Sequence, residues 1–211
     1  MSSTAISAQG SVFSIGTGTG SAKTITGIAL GNPTILTIAG HGFSNGDNIT
    51  LAGIGGTTVL NGLSLSVTNK TTNTVAVNID TTGGAAFTSG GTATPVTYST
   101  VGNVKDFTGF DGSASEIDVT SLASTAKEFQ LGIVDSGQFS MNIDQDNSDA
   151  GQIALRSKQA SRLIANFKLV LPNGNTASFT GFVKKFGTQG AVDAAVKSSV
   201  DIRITGAITW A

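Results

Sequence analysis

An all-β fold with a single helix is what this sequence predicts, and three observations predict it. Short runs rich in Val, Ile, Thr and Phe alternate with turn residues along most of its 211 positions. Gly alone accounts for 28 residues, and charged residues make up 12%, against roughly 25% in an ordinary soluble domain. Only one segment carries apolar residues at helical spacing.

The charges divide the chain. Residues 1–100 hold Lys23, Asp47, Lys70 and Asp80, and the other twenty-one charges fall in 101–211. Two modules follow: residues 1–22 with 96–211, interrupted by a small inserted β-barrel or β-sandwich at 23–95. A leading strand at Gly10–Gly16 places the second module on both sides of the insert.

In the insert, strands are expected at Thr24–Leu30, Thr34–Ala39, Asn48–Ala52, Ser64–Thr68 and Thr74–Ile79. Gly31-Asn32-Pro33, Ser44-Asn45-Gly46-Asp47, Asn61-Gly62 and Gly83-Gly84 stand between them as turns, since Gly and Asn accept positive φ. Gly16–Thr24 and Ser89-Gly90-Gly91-Thr92 read as flexible linkers into and out of the insert. Strands then continue at Val96–Thr100, Val104–Phe107, Glu116–Thr120, Glu128–Val134 and Gln138–Asp144.

A helix is expected at 148–161, capped by Asn147 or Ser148. Asp149 lies in its first turn, and Ala150, Ile153, Ala154, Ser157 and Ala160 form its packing stripe. Leu163–Leu171 and Thr176–Phe186 make a hairpin around Pro172-Asn173-Gly174-Asn175. Val196–Trp210 closes the chain as a long alternating strand whose edges a monomer would have to protect.

Catalytic chemistry is not legible. The chain has no cysteine and one histidine, His41, in a Gly-rich turn. A lone histidine makes no closed metal site, and it reads as a strand-capping turn residue. Gly16–Thr24 fails as a phosphate loop because Ala22 stands where Gly must precede the lysine. Asp144, Asp146 and Asp149 lack the central Gly and final Glu of a calcium loop and read as a helix-capping turn. Neither enzyme activity nor a cofactor is expected. The N-terminus resembles no signal peptide, and no apolar run reaches the roughly 18 residues of a membrane helix.

Charge distribution is more telling. Between Asp111 and Asp149 stand eight acids and one base, Lys127; between Arg156 and Lys185 stand six bases and no acid. A subunit polarised in this way can associate head to tail, and a repeated heterologous contact gives rings or filaments.

Val101-Gly102-Asn103-Val104-Lys105-Asp106-Phe107-Thr108-Gly109, Glu116-Ile117-Asp118-Val119-Thr120-Ser121-Leu122 and Lys127-Glu128-Phe129 resemble the major tail tube proteins of long, non-contractile-tailed phages. So do Asp135-Ser136-Gly137, Gly151-Gln152, Leu171-Pro172-Asn173-Gly174 and the closing Val200–Trp210 strand. The resemblance implies a tail-tube β-sandwich with one flanking helix, a structural role in the virion tail, and synthesis in the host cytoplasm. It implies hexameric rings stacked around a tape measure protein, joined at the ends to tail terminator and tail tip proteins, with DNA passing through. Phe110–Lys127 matches the segment that reaches the adjacent ring, making Asp111, Glu116, Asp118 and Lys127 ring-stacking candidates. Glu128, Asp135 and Asp144 are the lumen candidates, expected to bias the bore toward negative potential.

The insert, with Thr34–Phe43, Leu60-Asn61-Gly62 and Thr88-Ser89-Gly90-Gly91, resembles a small β-barrel repeat of phage structural proteins named for part of ubiquitin-activating enzymes. The competing function is a virion or cell-surface adhesion or carbohydrate-binding module, for which the insert offers Phe43 and Phe87, with Tyr98 just beyond.

Overall fold

The computed structural model describes residues 5–211. The chain begins with β1 (Val12–Thr19), β2 (Lys23–Thr24), β3 (Gly27–Ala29), β4 (Thr34–Thr37) and β5 (Asn48–Ala52). After a 3-10 turn at Thr58–Leu60 come β6 (Ser64–Thr68), β7 (Thr74–Val77), β8 (Thr92–Thr100) and β9 (Val104–Gly109). There follow β10 (Ser113–Asp118), β11 (Phe129–Asp135), β12 (Gln138–Asp144), α1 (Ala150–Ser161), β13 (Ala165–Val170), β14 (Thr176–Gln189) and β15 (Lys197–Trp210).

One hydrogen-bonded path runs β3-β4-β7-β6-β5-β8-β1-β13-β14-β15-β12-β9, with β2 beside β8; β10 and β11 pair only with each other. Two separate apolar cores lie along this path. The first is a sandwich: the Phe13 ring of β1 stacks on Phe139 of β12 at 4.8 Å and on Phe167 of β13 at 5.8 Å, joining strands distant along the path. The second fills residues 25–93 with aliphatic side chains such as Leu36, Ile49, Leu51 and Val75.

Most of the first Gly-rich linker is paired strand, and the second leads into β8 through Gly90 and Gly91, both at positive φ. Thr19 pairs with Val96 and Lys23 with Ala93, so β8 runs unbroken from one core to the other. Their glycines are there because space is short. A Cβ on Gly16 would lie 2.8 Å from Val96 Cγ1, and one on Gly91 would lie 2.7 Å from Ile54 Cγ1. The expected strand at Thr24–Leu30 is broken in two by Ile25 and Thr26, Ile25 turning fully into the second core.

The helix also departs from expectation. Its cap is Asp149 itself, whose Oδ1 accepts from Gln152 N at 2.7 Å. The buried face is Gly151, Gln152 and Leu155, while Ala150, Ile153, Ser157 and Ala160 face solvent. Gln152 replaces apolar packing with hydrogen bonds, donating to the carbonyls of Gly102 and Asp144 and accepting from Asp146 N.

Residues 25–93 are held against the sandwich by polar contacts. Lys168 of β13 reaches Asp47 at 2.7 Å, with both side chains largely buried, and its ammonium lies 4.6 Å from the centre of the Tyr98 ring. Burial first, then the Asp47 charge, pushes the Tyr98 hydroxyl well above its ordinary pKa. Asn48 Nδ2 donates to Asn166 Oδ1 at 2.8 Å, and Ser178 Oγ donates to the Gly46 carbonyl. Gly46 (φ +81) sits so close to β14 that a Cβ would lie 2.2 Å from Thr176 Cγ2.

Gly46→Val is therefore expected to destabilise by about 2 kcal/mol or more, lowering Tm by roughly 4–8 °C. Gly62→Val has the same sign of φ with open space around it and serves as the control for backbone strain. Equal melting curves for the two variants would show that the turn is not seated against β14.

Candidate assembly interface

Between β9 and β12 the chain leaves the sandwich as an arm. Phe110, at positive φ (+61), marks the exit. A bulky residue rarely adopts this conformation, and here packing holds it: its ring meets Phe139, Phe179 and Trp210, each at 5.5 Å. The neck is narrow. A Cβ on Gly112 would fall 2.1 Å from the Asp135 carbonyl, and one on Gly137 would fall 2.3 Å from Asp111 Oδ1.

The arm's strands pair Glu116 with Leu131 and Asp118 with Phe129. Directly opposed residues share a face, and a bulge in β11 shifts the register between Leu131 and Val134, so Phe129, Leu131 and Val134 form an apolar stripe beside Ala114, Glu116 and Asp118. These three are exposed, Leu131 at 73%. A two-stranded hairpin is marginal in water by itself, and an apolar stripe of this kind marks a surface that another chain covers.

The stacking candidates all belong to this arm. Asp118 accepts from Lys127 Nζ at 2.7 Å, and this bond, followed by those from Thr120, holds its carboxyl below the usual range. Asp111 Oδ1 accepts from Gln138 N at 3.0 Å and so ties the neck to β12. Glu116 stands exposed with no ion-pair partner among the described residues. The lumen candidates are spread out. Glu128 lies near the arm's tip and accepts from Ser124 Oγ. Asp135 closes β11, its carboxyl held down first by Gly137 N–H and then by Arg203. Asp144 ends β12, paired with Lys105 at 2.7 Å.

A second surface corrects the sequence reading: β15, expected to have open edges, has β14 and β12 on its two sides, and the open edges belong to β9 and β14. β9 has a partner only in β12. β14 pairs with β13 only through Gly181, so Phe182–Gln189 has β15 on one side and no strand on the other. The bond from Phe110 N to Gln138 O fixes the alternation in β9 and aims the backbone groups of Phe107 and Gly109 outward. The bond from Ile204 N to Gly137 O likewise fixes β15, leaving Phe186 and Thr188 of β14 to face outward. Thus β9, β12, β15 and the far half of β14 make a four-strand surface with a free row of donors and acceptors on each margin.

No comparable chemistry gathers elsewhere. His41 is buried; its Nε2 lies 3.0 Å from the Thr71 carbonyl and its Nδ1 accepts from Phe43 N. Among the described residues no group of three His, Cys, Asp or Glu is placed to hold a metal. No helix among them is long and apolar enough to cross a membrane. Phe43 is buried and Phe87 packs on the second core, while Tyr98 is half-buried beside Lys168, so none presents a free ring face for a sugar.

Residues 77–171, which include the whole arm and its neck, match the family model described as phage tail tube, TTP, lambda-like. This segment is similar to the lambda-like phage tail tube family. The chain is accordingly a non-enzymatic structural protein of the virion tail. Residues 31–97 match the family described as the ubiquitin-activating enzyme E1 FCCH domain, and the two matches overlap over residues 77–97. No curated protein matches the chain.

Among solved structures, chains from the tail of an empty gene transfer agent particle with C6 symmetry and from the virion of the native particle resemble it. Each is 16% identical and covers 54% of this chain, with 86% and 88% of the other chain covered and a TM-score of 0.47. A chain from the six-fold symmetrised baseplate of the anti-feeding prophage is 7% identical over 55% of this chain and 84% of its own, with a TM-score of 0.44.

If the neck sets the direction of the arm, Gly112→Val forces its two legs apart, because the added Cβ meets a backbone carbonyl and not a movable side chain. Hydrogen exchange is expected to rise at least about tenfold across 113–135 while β12 and β13 keep their protection. Wild-type exchange in the arm would show that the neck does not hold it.

Proposed function

We propose that six copies close into a ring by strand pairing and that rings stack through the arms into a tail tube. The tube surrounds a tape measure protein, is capped by tail terminator and tail tip proteins, and conducts DNA during ejection. The open-edged four-strand surface carries this reading. The β9 margin of one copy supplies the partner that β14 of the next one lacks, and a heterologous contact of this sort closes into a ring when its rotation permits. Ring number and end partners come from the family resemblance. Residues 23–95 are an inserted domain in this reading. They attach at the opposite end of the strand path from β9, which puts them on the outside of the ring.

The bore wall is then the face of β9–β12–β15–β14 turned away from the phenylalanine core, where Ser140, Asn142, Ser199 and Asp201 alternate with buried neighbours. Asp144 lies on it and Asp135 at its arm end, each bonded to a base. These acids occupy Lys105 and Arg203, which would otherwise gather phosphates and slow the passage of DNA. They leave Lys185 and Lys197, among the described residues, as the unpaired bases at the far end of this face. Glu128 would add to the negative potential from the arm.

Two experiments test these claims. Electron microscopy of the purified protein is expected to show hollow fibres of constant diameter. Thr188→Pro, which removes an outward N–H from the β14 margin, is expected to abolish rings, whereas Thr188→Ala keeps them. Rings from the proline variant would refute edge pairing. Separately, Asp135→Asn with Asp144→Asn is expected to make assembled tubes retain double-stranded DNA, with affinity falling steeply as salt rises. Tubes that bind DNA no better than wild type would remove the two acids from the bore.

A further inference from the structure

We infer that the arm of one copy is received by the far end of the same four-strand surface on a second copy. The receiving surface is built from Lys185, Lys197 and the β14–β15 tip carrying Val192 and Val196. The inference rests on the tube reading and adds to it the surface on which the arm lands.

Arm and tip stand at opposite ends of one strand. Gln138, which begins β12, bonds Asp111 at the arm's neck, while Gln145, just past its end, donates to the Val196 carbonyl at 2.8 Å. A copy displaced along the direction of β12 therefore brings the arm of one molecule toward the tip of the other.

Their chemistry is complementary. Residues 111–135 carry five acids and one base, Lys127. On the arm, the stripe of Phe129, Leu131 and Val134 runs beside Glu116 and Asp118. At the tip, Val192 is 93% exposed and Val196 is half-exposed. Beside them Lys185 and Lys197 line one cleft between β9, β12, β14 and β15. Lys105 and Asp144 in that cleft neutralise each other; Lys185 and Lys197 have no acidic partner among the described residues. Acid beside an apolar stripe on one end meets base beside apolar side chains on the other. Such a contact buries the apolar groups while pairing the charges at its rim. Because the two surfaces differ and stand at opposite ends of one strand direction, the contact is heterologous and, repeated by displacement along that direction, adds copies along one axis.

The chain lacks cysteine, so a designed pair is unambiguous. Glu116→Cys with Lys197→Cys is expected to give, after oxidation of assembled tubes, a ladder of multimers on non-reducing gels that neither single variant gives. Glu116→Lys with Glu128→Lys, and separately Lys185→Glu with Lys197→Glu, are each expected to raise the protein concentration needed for tubes by about tenfold, leaving rings intact. Combining all four substitutions is expected to restore tubes. Tubes without a ladder, reversals that polymerise like wild type, or a four-fold variant no better than its parents would overturn the assignment. Wild-type protein that forms neither rings nor tubes would instead overturn the tube reading beneath it.

Discussion

A strand margin is a row of backbone donors and acceptors that water satisfies only while nothing better arrives. This chain leaves two such rows on one surface, and its other features support them. β14 and β15, each of 14 residues, outrun the rest of the sandwich. Their near halves pair within the molecule, and the far half of β14 stops at one neighbour. Natural sheets blunt such edges with charge or proline. Here Lys184 and Lys185 are the only charges on that half, and no proline interrupts it. The margin is solvated in a free subunit yet open to pairing.

An exposed edge helps assembly only if it is held flat and in register, and the phenylalanine core does this. Phe13, Phe139, Phe167 and Phe179 stack across the sandwich with centroids 4.8–6.5 Å apart, fixing β12 against β1 and β13. Phe110 extends the cluster to the arm's neck and to Trp210 at the end of β15. Edge, arm and core therefore share residues: a change in the packing of Phe139 is felt at β9, which it pairs with through Gly109, and at Phe110. Aromatic contacts of this kind are each worth about 0.5–1.5 kcal/mol beyond burial.

Strands whose apolar residues alternate were readable to the residue: Asn48–Ala52, Ser64–Thr68 and Gln138–Asp144 stand where the pattern put them. The helix's position was readable and its buried face was not. Gly151 must sit against the backbone, a Cβ there meeting Thr100 O at 2.3 Å, and Gln152 buries through hydrogen bonds, so neither enters an apolar count. The Gly-rich linkers misled for a related reason. Glycine marks close approach as well as freedom, and only the partner strand tells which. The arm's strands were readable to within a few residues, but their exposure was not. Phe129–Val134 has the composition of a core strand, and no single-chain pattern distinguishes burial within a molecule from burial between molecules. Asp111, Glu116, Asp118 and Lys127 did fall together on one arm, because they are local in sequence. Glu128, Asp135 and Asp144 did not form one cluster, since they lie near the arm's tip, at the end of β11 and at the end of β12.

In the proposed assembly the two contacts differ in kind, and the difference orders their formation. Lateral pairing of β9 with β14 is made of backbone hydrogen bonds, whose strength depends little on ionic strength and whose geometry fixes one rotation per copy. The axial contact adds exposed charges, which salt screens beyond about 10 Å at 0.1 M and which steer an approaching partner before it touches. A closed ring also presents several arms at once, so the second and later arms dock at a high effective concentration that a lone subunit never has. Strand pairing should therefore precede stacking. A free subunit, with one weak arm and one weakly basic cleft, does not by itself nucleate a fibre.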